Sequence, residues 1–306
     1  SIAESTGIWA GRHFETDDAI IFVGACGIAV RSIAPYVASK KSDPAVLVID
    51  ECGKFVISLL SGHLGGANEL TLEVAELLGA VPVVTTATDL HHRFAVDVFA
   101  KKNCCGIQNM KAAKEVSAAL LAGEPVGFYS EFPWTGKLPE GLEESSEDTQ
   151  DKPEIGIAVT IHPTCKPFTS TVQIIPRVVT LGMGCRRNKE ADVIEKEASV
   201  CLADADIYSQ AVEKLTSISI KKDEVGLQKL AEDWRIPFIT FEEEELSHAE
   251  GEFTPSEFVK KITGVNNVCE RSAVLGAEQG RLIKNKTGRN GVTTALALRN
   301  WEVHFE

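Results

Sequence analysis

Residues 55–79 read FVISLLSGHLGGANELTLEVAELLG, and this stretch decides the fold. Phe55 to Leu60 is a run of apolar and β-branched residues, the pattern of a buried strand. It stops at Ser61-Gly62-His63-Leu64-Gly65-Gly66. Leu70, Val74, Leu77 and Leu78 then recur at helical spacing, and Gly79 supplies a C-terminal cap. A strand, a glycine-rich turn and a helix in succession bring the first amides of the helix to the turn, where the dipole favours an anion. Ser61, His63, Asn68 and Glu69 add a hydroxyl, an imidazole, an amide and a carboxylate, enough for proton transfer. The same residues admit a plainer reading. Gly62, Gly65 and Gly66 permit a tight turn and close helix–sheet packing, with His63 a hydrogen-bonded structural residue.

Upstream, residues 19–24 (AIIFVG) and 45–50 (AVLVID) read as further buried strands. Between them ACGIAVRSIAPYV predicts a short helix ending near Pro35. Gly24 and Gly27 flank that strand–helix junction and Arg31 lies close to it, either as a solvated helix charge or as a ligand contact. Strands 45–50 and 55–60 are too near in sequence for a crossover helix, so the sheet is expected to be mixed. A short strand in VPVVTTATD, ending at Asp89, completes a three-layer α/β domain assigned to residues 1–90.

From His91-His92-Arg93 the texture changes. The helical run MKAAKEVSAALLAG and the strands PVGFYSE, EIGIAVTIH and TVQIIPRVV predict a small α+β middle domain over 91–178. The acidic segment PEGLEESSEDTQDKPE between the first two strands is expected to be a surface loop. A third unit, 179–306, reads as α/β. Its strand PRVVTLGM leads into Gly182-Met183-Gly184-Cys185-Arg186-Arg187-Asn188 and a helix from about Lys189 to Leu202. In a dinucleotide fingerprint the third glycine would fall at Arg187, where a long side chain obstructs helix–strand packing, so a nicotinamide cofactor is excluded. Two arginines in such a turn suit carboxylates, which guanidinium binds in a bidentate manner. LTSISIK, IPFITF, RLIKNK and GVTTALALR read as strands, DEVGLQKLAEDW and PSEFVKKITG as helices.

Composition narrows the function. A net charge of −13 over 306 residues argues against nucleic-acid binding, which needs a positive surface. No apolar run approaches the ~20 residues that cross a bilayer, and SIAESTGIWAGRHFE lacks the layout of a signal peptide, so no membrane partner is expected and the cytoplasm is the default. The eight cysteines form no C-x-x-C pair and no ligand-like spacing with histidine, so free, buried thiols are expected rather than a metal site or disulfides.

SLLSGHLGGANEL resembles the signature of the cobalt-precorrin-5A hydrolase family, the CbiG proteins of cobalamin biosynthesis. FVGACGIAVRSIAPYV, DPAVLVIDE, GMGCRRN, TPSEFVKKITGVNNVCE and NGVTTALAL extend the resemblance from about residue 19 to the end. It implies three domains and hydrolytic opening of the δ-lactone of cobalt-precorrin-5A, with loss of acetaldehyde, to give cobalt-precorrin-5B. The cobalt then arrives in the substrate and no cofactor is needed. The partners are the corrinoid and, as a further candidate, neighbouring enzymes of the pathway. Family members carry a strand–helix stretch upstream, so a truncated N-terminus is expected here.

That chemistry requires an activated water, oxyanion donors, an acid–base pair and cations for peripheral carboxylates. The expected catalytic residues are His63 or Glu69 as general base, with Ser61 beside them. Expected substrate contacts are Gly62, Asn68 and the Gly65 and Gly66 amides, with Arg31, Arg186 and Arg187 as carboxylate clamps. A serine hydrolase using Ser61 fails the G-x-S-x-G elbow, because Leu59 stands where the first glycine should be. A corrinoid carrier without catalysis is the remaining alternative, and acetaldehyde release separates the two.

Overall fold

In the computed structural model, which describes residues 4–39, 42–63, 65–86, 94–146, 151–254 and 267–305, the chain forms two compact units. One comprises Ser1–Lys102 with Ser117–Glu124 and Pro139–Gly141; the other comprises Asn103–Val116, Pro125–Leu138 and Leu142–Glu306.

The first unit runs α1 (Thr6–Phe14), β1 (Ala19–Val23), α2 (Cys26–Ile33), β2 (Ala45–Ile49), β3 (Phe55–Leu60), α3 (Ala67–Leu78), β4 (Val81–Val83) and α4 (Val96–Lys102). Its sheet has the order β1-β2-β3-β4. β1 and β2 are parallel, the tight β2–β3 connection makes an antiparallel pair, and β4 is parallel to β3, so the expected mixed sheet forms. Alternation along β2 gives three layers. Val46 and Val48 pack with Ala10, Phe14, Ala29 and Ile33 of α1 and α2, whereas Ala45 and Leu47 pack with Ala67 and Ala75 of α3. On α3 the buried line is Ala67, Thr71 and Ala75. Leu77 and Leu78, expected to face the core, are 85% and 52% exposed. Small residues on the buried line let the helix lie close to the sheet.

The second unit holds two five-stranded sheets. β5 (Cys105–Gln108), β6 (Val126–Ser130), β8 (Leu142–Glu144), β9 (Ile155–Val159) and β10 (Ser170–Pro176) form the first, in the order β5-β10-β9-β6-β8. β7 (Trp134–Gly136) pairs instead with β16 (Val303–Phe305), and helix α5 spans Met110–Ala122. Part of the acidic segment expected to be loop is therefore strand: β8 pairs in parallel with β6 and buries Leu142. β6 and β9 also pair in parallel.

The other sheet has the order β13-β12-β11-β15-β14. Its strands are β11 (Val179–Cys185), β12 (Val212–Ile218), β13 (Phe238–Phe241), β14 (Arg281–Arg289) and β15 (Val292–Leu298). Helices α6 (Ala191–Asp204), α7 (Val225–Trp234), α8 (Glu243–Ser247) and α9 (Val268–Gly276) accompany it. Gly182 and Gly184, read from sequence as part of a turn, lie inside β11. A Cβ on Gly182 would meet the Cys269 carbonyl oxygen at 1.9 Å, so this glycine admits the backbone of α9 against the strand. Periodicity does not signal α9, because Val268, Cys269, Glu270, Ser272, Ala273, Val274 and Gly276 are all buried and only Arg271 and Leu275 are partly exposed. The helix expected in PSEFVKKITG lies outside the described residues, as do Asp89 and His91-His92-Arg93.

Glu270 anchors α9. Its carboxylate accepts the backbone N–H of Thr254 at 2.8 Å and of Lys286 at 2.6 Å, and the Thr254 hydroxyl at 2.8 Å. Burial alone would raise its pKa, but these hydrogen bonds outweigh burial and hold it below the usual 4.5. A lowered folded pKa means the stabilisation is full above pH 4.5 and is lost as pH falls through the folded value. Glu270→Gln is therefore expected to lower the urea midpoint of this unit at pH 7 and to flatten its decline below pH 4.5. An unchanged acid limb would remove this role from Glu270.

The eight cysteines are free thiols, of which Cys201 and Cys269 are buried while Cys52 and Cys104 are exposed, against the expectation of uniform burial. Among the described residues no helix is long and apolar enough to cross a membrane.

Candidate functional site

Between β3 and α3 the chain folds tightly enough to exclude side chains at its glycines. A Cβ on Gly62 would meet Asn68 Oδ1 at 2.8 Å, and one on Gly65 would meet Ser61 Cβ at 2.3 Å. Gly66 has φ +83°, and Ser61 holds the left-handed value of +58°, uncommon outside glycine. The carbonyls of residues 61–63 turn inward and receive the first amides of the helix. Ala67 N–H donates to Ser61, Asn68 N–H to Gly62, and Gly66 N–H to His63, all at 3.0–3.1 Å.

This arrangement alters several expected roles. The Gly66 amide, expected as an oxyanion or carboxylate donor, is occupied by the His63 carbonyl. Ser61 Oγ donates to the Asp43 carbonyl at 3.0 Å, so the hydroxyl fastens the turn. Asn68 is buried, and its amide ties two segments together by accepting from Ser58 Oγ at 2.6 Å and donating to Thr86 Oγ1 at 3.0 Å. Glu69 is exposed in the first turn of α3. Arg31 is exposed on α2, where its guanidinium donates to the Gly27 carbonyl of the same helix at 3.1 Å. Gly62 and Gly65 have clear steric reasons to be glycine.

His63 differs from its neighbours. Its Nδ1 lies 3.5 Å from Asp97 Oδ1, and each side chain is 17% exposed. Asp97 opens α4, and one turn later on the same face Lys101 brings its Nζ to 3.2 Å from where a Gly66 Cβ would stand. Helix α4 thus contributes an anion and a cation to the turn. Sequence reading missed both. Their i, i+4 spacing in VDVFAKK was visible, but nothing local linked that helix to a turn more than thirty residues earlier.

Arg186 and Arg187 belong to a different place, a cleft of about 630 Å³ in the second unit at the ends of β11 and β12. Both arginines are exposed and line it. Arg186 N–H donates to the Gly291 carbonyl at 2.9 Å. Its stem lies against Gly291, whose Cβ would meet Arg186 Cδ at 3.1 Å. A second cleft of about 1200 Å³, lined by Phe132, Trp301, Arg281 and Lys284, lies elsewhere in the same unit.

Residues 9–89 match the family described as cobalamin synthesis G N-terminal, residues 94–176 the cobalamin biosynthesis central region, and residues 179–297 the cobalamin synthesis G C-terminus. Over 300 residues the chain is 37% identical to cobalt-precorrin-5A hydrolase of Salmonella typhimurium, covering 94% of this chain and 84% of that protein. The protein of the same name from Priestia megaterium is 35% identical over 298 residues, covering 92% and 79%. Protein CobE of a Sinorhizobium species is 29% identical over 121 residues, covering 39% of this chain and 79% of CobE.

Proposed function

Because the chain belongs to the CbiG family of cobalamin-synthesis proteins, we propose that its hydrolytic chemistry is carried by the turn after β3 together with α4, His63 acting as base under the hold of Asp97. The chain is a cobalamin-pathway enzyme of the cobalt-precorrin-5A hydrolase type; the identity of 37% over 94% of its length carries that conclusion. The residue assignment is supported by the 3.5 Å approach of His63 to Asp97.

With Nδ1 turned to Asp97, His63 Nε2 takes a proton from water as the oxygen adds to the lactone carbonyl. The Lys101 ammonium, close to Gly66, replaces the occupied Gly66 amide as the partner for the oxyanion. The acyl–oxygen bond breaks to give a carboxylate and a secondary alcohol. Loss of the alcohol proton then forms the aldehyde carbonyl as the carbon–carbon bond to the macrocycle breaks. The electron pair passes to the ring carbon, which takes up a proton, and acetaldehyde leaves. In this reading the cobalt enters with the substrate, and the protein supplies acid–base groups and cations. Arg186 and Arg187 serve the peripheral carboxylates.

His63 stands ahead of Glu69 as base because a carboxylate orients its ring. An acidic residue in the first turn of α3 is accounted for by the dipole alone. Glu69→Gln is accordingly expected to lower stability by about 0.3–1 kcal/mol and to leave acetaldehyde release unchanged. A fall in rate without a fall in melting temperature would return Glu69 to the catalytic set. The reaction itself is tested by incubating the protein with cobalt-precorrin-5A and following acetaldehyde through NADH consumption by alcohol dehydrogenase. Stoichiometric acetaldehyde is expected, whereas corrinoid binding with no acetaldehyde would reject the hydrolase.

A further inference from the structure

We propose that the cleft of about 1200 Å³ lined by Phe132, His162, Arg281, Lys284 and Trp301 in the second unit is a binding site for a nucleoside monophosphate, a ligand distinct from the corrinoid substrate.

The cleft opens where two neighbouring parallel strands end. Glu131 follows β6, Ile161 and His162 follow β9, and all three line the cleft. From β6 the chain goes on to β8 at one side of this pair, and from β9 to β10 at the other. Connections that leave adjacent parallel strands in opposite directions open a crevice at the carboxyl ends, and open α/β sheets bind their ligands there.

His162 stands in this crevice on a braced loop. Gln173, 2% exposed, donates from Nε2 to the His162 carbonyl at 3.1 Å and to the Cys165 carbonyl at 2.9 Å, and its Oε1 accepts the Tyr208 hydroxyl at 2.8 Å. The ring Nδ1 of His162 lies 2.7 Å from the Asp206 carbonyl oxygen. A carbonyl can only accept, so Nδ1 carries the proton and Nε2 of the neutral ring is left as an acceptor. Glu131 is held close by, its carboxylate accepting the Ile161 N–H at 3.4 Å.

The lining specifies the ligand. Buried Phe132 meets half-buried Trp301 edge to face, at 5.2 Å and 84°, so one ring props the other in the wall of the cleft. A supported indole is a stacking surface for a planar base. Arg281 and Lys284 enter from the edge strand β14. Arg281 is exposed, and Lys284 stands 4.0 Å from Asp204, a carboxylate that Arg289 holds more closely at 3.1 Å. These two cations suit a phosphate. Glu131, Glu302 and the Nε2 of His162 are acceptors, which call for hydroxyl and amino donors. A planar ring that bears one anionic group and several such donors satisfies the whole set. A polycarboxylate does not, because it would bring like charge to Glu131, Asp204 and Glu302.

The test titrates the full chain by calorimetry with adenosine 5′-monophosphate (AMP), adenosine and inorganic phosphate. AMP is expected to bind, and adenosine and phosphate to bind at least about tenfold more weakly, since each lacks one of the two anchors. Arg281→Ala should weaken AMP at least about tenfold, spare adenosine and leave the unfolding midpoint unchanged, because Arg281 is exposed. Trp301→Leu should weaken AMP and adenosine alike by at least about fivefold. Trp301→Phe keeps a ring and should recover most of that loss, so the stacking stays testable if the leucine variant fails to fold. Acetaldehyde release from cobalt-precorrin-5A by Arg281→Ala should equal that of the unaltered protein. Absence of AMP binding, or AMP affinity indifferent to Arg281→Ala and Trp301→Phe together with Trp301→Leu, would overturn the proposal. Inorganic phosphate bound as tightly as AMP would overturn it too, leaving an anion site with no place for a base. Dicyanocobyrinic acid held by the unaltered protein and weakened by Arg281→Ala would assign the cleft to the corrinoid, which also overturns it.

Discussion

His63→Ala is expected to slow acetaldehyde release by about 10²–10⁴-fold, the usual contribution of a positioned acid–base group. Corrinoid affinity should survive, because a macrocycle with many peripheral carboxylates offers contacts enough that losing one imidazole spares it. In the proposed mechanism Asp97, 3.5 Å from Nδ1, acts through His63 by orienting its ring and steadying the imidazolium. Asp97→Asn should therefore lower kcat by less than His63→Ala does and shift the pH–rate profile. The double variant should be no slower than His63→Ala alone, since residues acting as a unit are not additive. Acetaldehyde release by each variant over a pH series, with binding measured in parallel, checks this. If Asp97→Asn slows the His63→Ala enzyme further, the two residues act independently and the pairing has no catalytic meaning.

Gly182→Ala is expected to be the most damaging small substitution in the second unit. The added Cβ would stand 1.9 Å from the Cys269 carbonyl oxygen and 2.9 Å from Ala273 Cβ. Both neighbours belong to α9, which is buried and anchored through Glu270 to Thr254 and Lys286, so the helix has little room to retreat. Overpacking of this kind costs about 1–3 kcal/mol, and more where backbone must move. Gly7→Ala is the contrast: nothing lies within 4 Å of its Cβ and the residue is helical, so a neutral effect or a gain of up to about 1 kcal/mol is expected. Urea unfolding of the two variants reads the difference directly. A Gly182→Ala protein as stable as the parent would mean that α9 does not lie against β11.

The alternation of β-branched runs with helical spacing was legible residue by residue, and so were the mixed sheet and its hairpin. Strand 45–50 and strand 55–60 leave only a short turn between them, and no other pairing is geometrically open. The unusual string around His63 was equally legible, as were the paired arginines after β11, because both are contiguous in the chain.

Tertiary structure decided what those residues touch. The line that α3 buries is Ala67, Thr71 and Ala75 rather than its leucines, a choice of face that a period of 3.6 does not make. The Gly66 amide is taken by the His63 carbonyl of the turn, while the Ser61 hydroxyl is engaged by the Asp43 carbonyl and the Asn68 side chain by Ser58 and Thr86, partners that only the fold brings near. Asp97 and Lys101 reach the turn from a helix over thirty residues downstream, a proximity that only packing creates. Helix α9 went unseen for the opposite reason: all but Arg271 and Leu275 are buried, polar Glu270 and Ser272 among them, so periodicity has no clean polar face to detect.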